Sequence, residues 1–161
     1  MAAALAPAAA APTTRFSDEG ISFRYPSRWL VTTEPLSNGV NPTYRFAVST
    51  TPIQRTPQDL GPCLAGIAKQ LPPASVLVYL REALGADRRS SLPRMQPRPR
   101  RFRPPTRMDQ SLPCFGRGGR WVPFRSRGRA FYLGIWIGRD APAVRVAAVR
   151  RLLDGLRIDP R

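Results

Sequence analysis

Residues 119–138, GRWVPFRSRGRAFYLGIWIG, carry the clearest pattern in this sequence. Two β-forming runs, Trp121 to Phe124 and Ala130 to Ile137, flank Arg125-Ser126-Arg127-Gly128, where Gly128 supplies the positive φ that a hairpin turn usually needs. In the second run Phe131, Leu133, Ile135 and Ile137 fall on one face, with Tyr132, Gly134 and Trp136 on the other. Both faces are apolar. Such a strand is expected inside a sheet that is covered on each side. The preceding GRGG, residues 116–119, lacks the Lys-Ser/Thr of a phosphate loop and leads into a strand instead of a helix, so it reads as a flexible entry to the hairpin.

Downstream, Asp140-Ala141-Pro142 is expected to cap a final helix. Val144, Ala148, Leu152 and Leu156, flanked by Val149 and Leu153, form its apolar stripe, while Arg145, Arg150, Arg151, Asp154 and Arg157 face water. Upstream, SVLVYLREAL at 75–84 reads as a strand through about Leu80. Before it, Thr56-Pro57-Gln58-Asp59 has the form of a helix start, and Leu60, Cys63, Leu64, Ile67 and Leu71 recur at helical spacing until Pro72-Pro73. YRFAVS, 44–49, aligns Tyr44, Phe46 and Val48 as a strand. GISFRYPSRW, 20–29, places Ile21, Phe23 and Tyr25 on one face. Pro26 then presets a turn, and Trp29, Val31 and Thr33 alternate in a returning strand, giving an N-terminal hairpin.

The order hairpin, strand, helix, strand, insertion, hairpin, helix implies an α+β fold, a mainly antiparallel β-sheet flanked by helices as an α/β/α sandwich. At 161 residues one domain is expected, spanning 15–161. Residues 1–14, MAAALAPAAAAPTT, are set aside as a disordered leader or a signal-peptide remnant.

Charge is the outstanding compositional feature: 26 basic residues against 10 acidic ones, a net +16. From Arg88 to Arg139 there are 14 Arg and one acid, Asp109, so this window carries +13. Within it, residues 88–107 hold 8 Arg and 5 Pro, no acid, and a single aromatic, Phe102. The segment from about 85 to 113 is therefore read as a mobile insertion or an extended crossing strand around Phe102. A surface of one sign concentrates opposite charge, which points to a protein, an anionic surface or polymer, or nucleic acid as partner. The candidate contact residues are Arg98, Arg100, Arg101, Arg103, Arg107, Arg125, Arg127 and Arg129. In the nucleic-acid alternative the arginines of 88–107 contact phosphates while Phe102 stacks on a base. GC-rich coding would also produce this composition, since 25 of the 26 basic residues are Arg.

The sequence contains no histidine, which removes Ser-His-Asp and Cys-His chemistry. Glu34 and Glu82 could be imagined as a glycosidase pair, but nothing in the sequence fixes their separation. No enzymatic activity, metal or cofactor is expected. Cys63 and Cys114 are the only cysteines, too few for a four-ligand site. They form either a disulfide, pointing to an oxidising compartment, or two buried thiols. No run of 18 apolar residues suggests a membrane-spanning helix.

The GISFRYPSRW start, the central helix and strand, the late GRAFYLGIWIG strand and the closing RRLLDGLRI helix together resemble the PsbP-like superfamily of antiparallel-sheet sandwiches. More narrowly, WVPFRSRGRAFYLGIWIGRDAP is similar to secreted or lipoprotein-type proteins of actinobacteria. The resemblance covers roughly 16–84 and 115–158 and carries no catalytic residues. It implies a binding or scaffolding role outside the cytoplasm, secreted or in the cell envelope.

Overall fold

The structure, a computed structural model, describes residues 11–61 and 63–160. Ten strands and three helices follow in the order β1 (Thr13–Asp18), β2 (Ile21–Pro26), β3 (Leu30–Thr32), β4 (Thr43–Ser49), β5 (Asp59–Leu60), β6 (Cys63–Leu64), α1 (Ala65–Gln70), β7 (Val76–Ala83), α2 (Gly85–Ser91), β8 (Gly119–Ser126), β9 (Arg129–Ile137), α3 (Ala143–Asp154) and β10 (Arg157–Ile158). A short 3-10 turn, Leu92–Arg94, continues α2. All the strand pairs are antiparallel, so the fold is α+β with mainly antiparallel sheet. The main sheet has five strands in the order β3-β4-β7-β9-β8, and a three-stranded sheet β1-β2-β10 packs over one of its faces.

β9 lies inside the sheet between β7 and β8, as its two apolar faces require. Phe131, Leu133, Ile135 and Ile137 join Val76, Val78 and Leu80 of β7 against Ile21 and Phe23 of β2 and Val149, Leu152 and Leu153 of α3. On the opposite face Trp136 joins Leu77 and Tyr79 of β7 under Leu64, Ile67 and Leu71 of the α1 region. Gly134 is part of this packing, because a Cβ there would enter the Tyr79 ring. The substitution Gly134→Ala is expected to lower the unfolding free energy by about 1–3 kcal/mol through overpacking, measured as a shift in the urea midpoint.

The β8–β9 turn forms as expected, with positive φ at both Arg127 and Gly128, the backbone that two-residue hairpins favour. The N-terminal hairpin is built differently. Its strands are β1 and β2, joined at Glu19-Gly20, so Thr13 and Thr14 belong to the fold; residues 1–10 of the expected leader lie outside the described residues. The turn after Pro26 exists, with the Trp29 N–H donating to the Pro26 carbonyl, but it delivers the chain to the other sheet. Both edges of β2 are already taken, by β1 and β10, so β3 pairs with β4.

Three further details depart from sequence periodicity. A register shift between Tyr44 and Phe46 sends Tyr44 to the α1 face while Phe46 and Val48 stay on the α3 face. At the expected helix start Asp59 Oδ2 accepts from the Thr56 N–H and hydroxyl, yet the helix begins only at Ala65. Asp59 Oδ1 instead reaches forward to accept from the Ile67 N–H, so the same carboxylate organises a turn and a helix start that the β5–β6 ladder separates. In α3 no side chain caps the helix, Pro142 holds the cap position, and Val144 is 67% exposed. Steps of four residues advance about 40° around a helix, so the buried stripe drifts and Val146 replaces Val144 at its start.

Candidate anionic interface

The Arg/Pro-rich segment is held along the outer edge of β8. The Arg125 N–H donates to the Gln96 carbonyl and the Arg98 N–H to the Arg125 carbonyl, both at 2.9 Å. Phe102 is buried edge-on against Phe124 at 5.2 Å, with the Arg98 guanidinium 5.4 Å from the centre of its ring. Further along, Arg120 donates to the Arg103 carbonyl and to both oxygens of Asp109. Gln110 bridges to Gly119, and the Trp121 N–H donates to Ser111 Oγ. Residues 96–112 thus form an ordered strap over an edge strand that would otherwise present open backbone groups. Its length owes little to regular structure. It rests on Phe102, Leu112 and the backbone of β8.

Asp109 organises the strap's turn. Its Oδ2 accepts from the Thr106 N–H at 2.6 Å and the Thr106 hydroxyl at 2.8 Å, repeating the arrangement at Thr56 and Asp59. These bonds from Thr106, with help from Arg120, hold the Asp109 carboxyl below the usual carboxylate range. The one acid of the basic window is therefore engaged by Arg120, and the strap's remaining arginines do not share it.

The eight arginines singled out from the sequence divide into two sets. Arg100, Arg101, Arg103, Arg107, Arg125 and Arg127 are exposed, and among the described residues none of them makes an ion pair. Arg125 and Arg127 border an open cleft of about 540 Å³ together with Pro93 and Pro97. The other two are structural. Arg129 is 1% exposed, which corrects its assignment to the surface: its Nε and Nη2 clamp the two Glu82 oxygens at 2.9 and 2.8 Å. Arg98 is half-buried and donates to the Leu156 carbonyl, and burial pulls its pKa down. Phe102, in the core, has no face free for a nucleobase, so the strap offers cations without a stacking ring.

Glu82 lies between Arg129 and Arg45, whose Nε reaches Glu82 Oε2 at 2.6 Å; Arg45 Nη1 also pairs with Glu19. Burial pushes the Glu82 carboxyl up, but the hydrogen bonds and charges of Arg129 and Arg45 outweigh it and lower its pKa overall. Glu34 is exposed and sits beside Thr32, whose hydroxyl accepts from its N–H. Glu82 is thus committed to a buried ion cluster, and its oxygens face arginines. Sequence reasoning missed Arg45 and Arg81, both buried. The signal for each was its place inside an otherwise β-forming run, YRFAVS and SVLVYLREAL.

Against protein-family models, curated proteins and solved structures, the chain finds no match.

Cys63 and Cys114 are joined, with Cα atoms 5.4 Å apart. The bond ties the α1 end of the molecule to the loop that ends the strap, beside the buried Leu112 and Phe115. Among the described residues no helix is long and apolar enough to cross a membrane.

Proposed function

We propose that the chain is a non-enzymatic binding or accessory domain that acts outside the cytoplasm and holds an anionic protein or surface against its strap and β8 edge. The observation that carries this reading is the set of six exposed, unpaired arginines on one ordered strap and its neighbouring turn. Fixed guanidinium groups bind carboxylates and phosphates through paired N–H donors, and a single-sign field draws such partners in. The disulfide supports an oxidising address. So does the resemblance to secreted, PsbP-like proteins of the envelope.

Charge reversal tests the reading. A variant with Arg100, Arg101, Arg103, Arg125 and Arg127 changed to Glu is expected to lose retention on an anionic matrix and on anionic vesicles. Its unfolding free energy should change by no more than about 0.5 kcal/mol per substitution, as for exposed positions generally. The control reverses five exposed arginines elsewhere, Arg24, Arg28, Arg150, Arg151 and Arg157, giving the same net charge. Equal loss in both variants would show that net charge alone drives retention and would remove the proposed interface. Duplex DNA serves as a further probe: six phosphate contacts would give a slope of log K against log salt of about −5.

A further inference from the structure

Three arginines are buried at strand positions, and two of them, Arg45 and Arg129, share the carboxylate of Glu82. The third, Arg81, is the neighbour of Glu82 in β7 and therefore faces the opposite side of the sheet. It is 2% exposed. Its Nε donates to the Pro42 carbonyl at 3.1 Å, and its guanidinium lies 4.9 Å from the centre of the Tyr44 ring. Among the described residues it forms no ion pair. Asp59, a buried acid on the same side of the sheet, has its oxygens engaged by Thr56 and Ile67. A guanidinium has five N–H donors, and a buried cation without a counter-charge is costly.

The surroundings of Arg81 are short of acceptors in the same way. The hydroxyls of Ser37 and Tyr44 are buried and neighbour each other, and neither makes a well-formed hydrogen bond among the described residues. Burial raises the Tyr44 pKa, the Ser37 hydroxyl and the Arg81 charge lower it in part and the Asp59 charge raises it further, so the phenol stays protonated and can donate. Arg81 and Ser37 meet at a methyl-sized gap beside Gly39. The point where a Cβ would stand on Gly39 is 3.5 Å from Arg81 Nη2 and 3.7 Å from Ser37 Oγ. A side chain there would occupy the gap that the glycine leaves open.

We infer that Arg81, with the Ser37 and Tyr44 hydroxyls and the gap at Gly39, forms a binding site for a small oxyanion, the carboxylate or phosphate group of a ligand. The anion supplies the counter-charge that Arg81 lacks and accepts from both hydroxyls. This site lies under the 36–42 loop, apart from the strap arginines, and its ligand is a small molecule instead of an extended surface. Its chemistry is recognition: no nucleophile or general base stands in the set.

The test is thermal unfolding in sodium phosphate and in sodium acetate, each against sodium chloride at equal ionic strength. The two anions separate tetrahedral from planar ligands. Phosphate or acetate should raise the midpoint above chloride, as a ligand of the native state does. Tyr44→Phe and Ser37→Ala should weaken that binding roughly tenfold or more, the loss of a hydrogen bond to a charged group. Both variants should be at least as stable as wild type in chloride, since each removes an unpartnered buried hydroxyl. Gly39→Ala, which fills the gap without a positive φ, should abolish the response. The five-arginine reversal on the strap should leave it intact, which separates this site from the proposed interface. Equal midpoints in all three salts, or an unchanged anion response in the hydroxyl and Gly39 variants, overturns the inference.

Discussion

Glu82→Gln is expected to lower the unfolding free energy by about 3–5 kcal/mol, the cost of leaving buried arginines without their carboxylate. Glu82 is 1% exposed and receives three N–H donations, two from Arg129 and one from Arg45. Glutamine keeps the volume and one acceptor oxygen but removes the charge, and its amide would point N–H groups at guanidinium N–H groups. Glu19 offsets only part of this, because it is half exposed. Glu19→Gln should therefore cost no more than about 1 kcal/mol. The urea midpoint of each variant decides, and equal effects at 19 and 82 would place the strength of the cluster at its surface.

The same cluster sets an acid limit. The Glu82 carboxyl has a folded pKa below its unfolded value near 4.3, because Arg129 and Arg45 outweigh the effect of burial. A lowered folded pKa contributes stability that is complete above the unfolded pKa and lost as pH falls through the folded one. Wild type should thus lose urea resistance on acidification below about pH 5, and the gap to Glu82→Gln should shrink over that window. Asp109, also held low by Thr106 and Arg120, titrates in both proteins and cancels in the comparison. Parallel acid profiles for the two proteins would contradict the arrangement.

What the sequence discloses here is face and period, and what it hides is pairing. β9 could be placed because Phe131 to Ile137 is apolar on both faces, a local property. The turn at Arg127-Gly128 is equally local. The N-terminal hairpin was misassigned because period two in Ile21, Phe23 and Tyr25 says which face is buried but not which strand lies alongside; β1, with Phe16 as its one large apolar residue, gives a faint signal. Tyr44 could not be placed because one inserted residue reverses every later face, and a bulge leaves no mark in composition. Arg129 is the sharpest case. An arginine after a Gly turn reads as solvated, and only the β7–β9 ladder, which sets Glu82 opposite Phe131, brings the carboxylate within reach across 47 positions. The eight candidate arginines were legible as charge, and six of them do reach water. Arg81 was not legible, because its lack of a partner is a property of what surrounds it in space.

Breaking the Cys63–Cys114 bond is the second large effect expected. It closes 51 residues, and loss of that constraint on the unfolded chain corresponds to about 4 kcal/mol by chain-entropy reasoning. The closed segment contains β7, α2 and the whole strap, so the bond fastens the two covers of one sheet face, the α1 region and the loop at Leu112 and Phe115, to each other. Without it the strap keeps its backbone bonds to β8 at Gln96, Arg98 and Gln110 but loses its far anchor. The variant Cys63→Ser/Cys114→Ser should accordingly unfold at lower urea and show faster amide exchange in 109–118 than in β9. Affinity for anionic surfaces should fall as well, since arginines on a loosened strap must be ordered at binding. Reductant separates the bond from the substitutions: it should bring the wild-type midpoint down to that of the double variant and leave the double variant unmoved. A wild-type midpoint that holds steady while thiol titration finds two free cysteines would mean that Leu112, Phe115 and the β8 contacts fasten the strap without the bond.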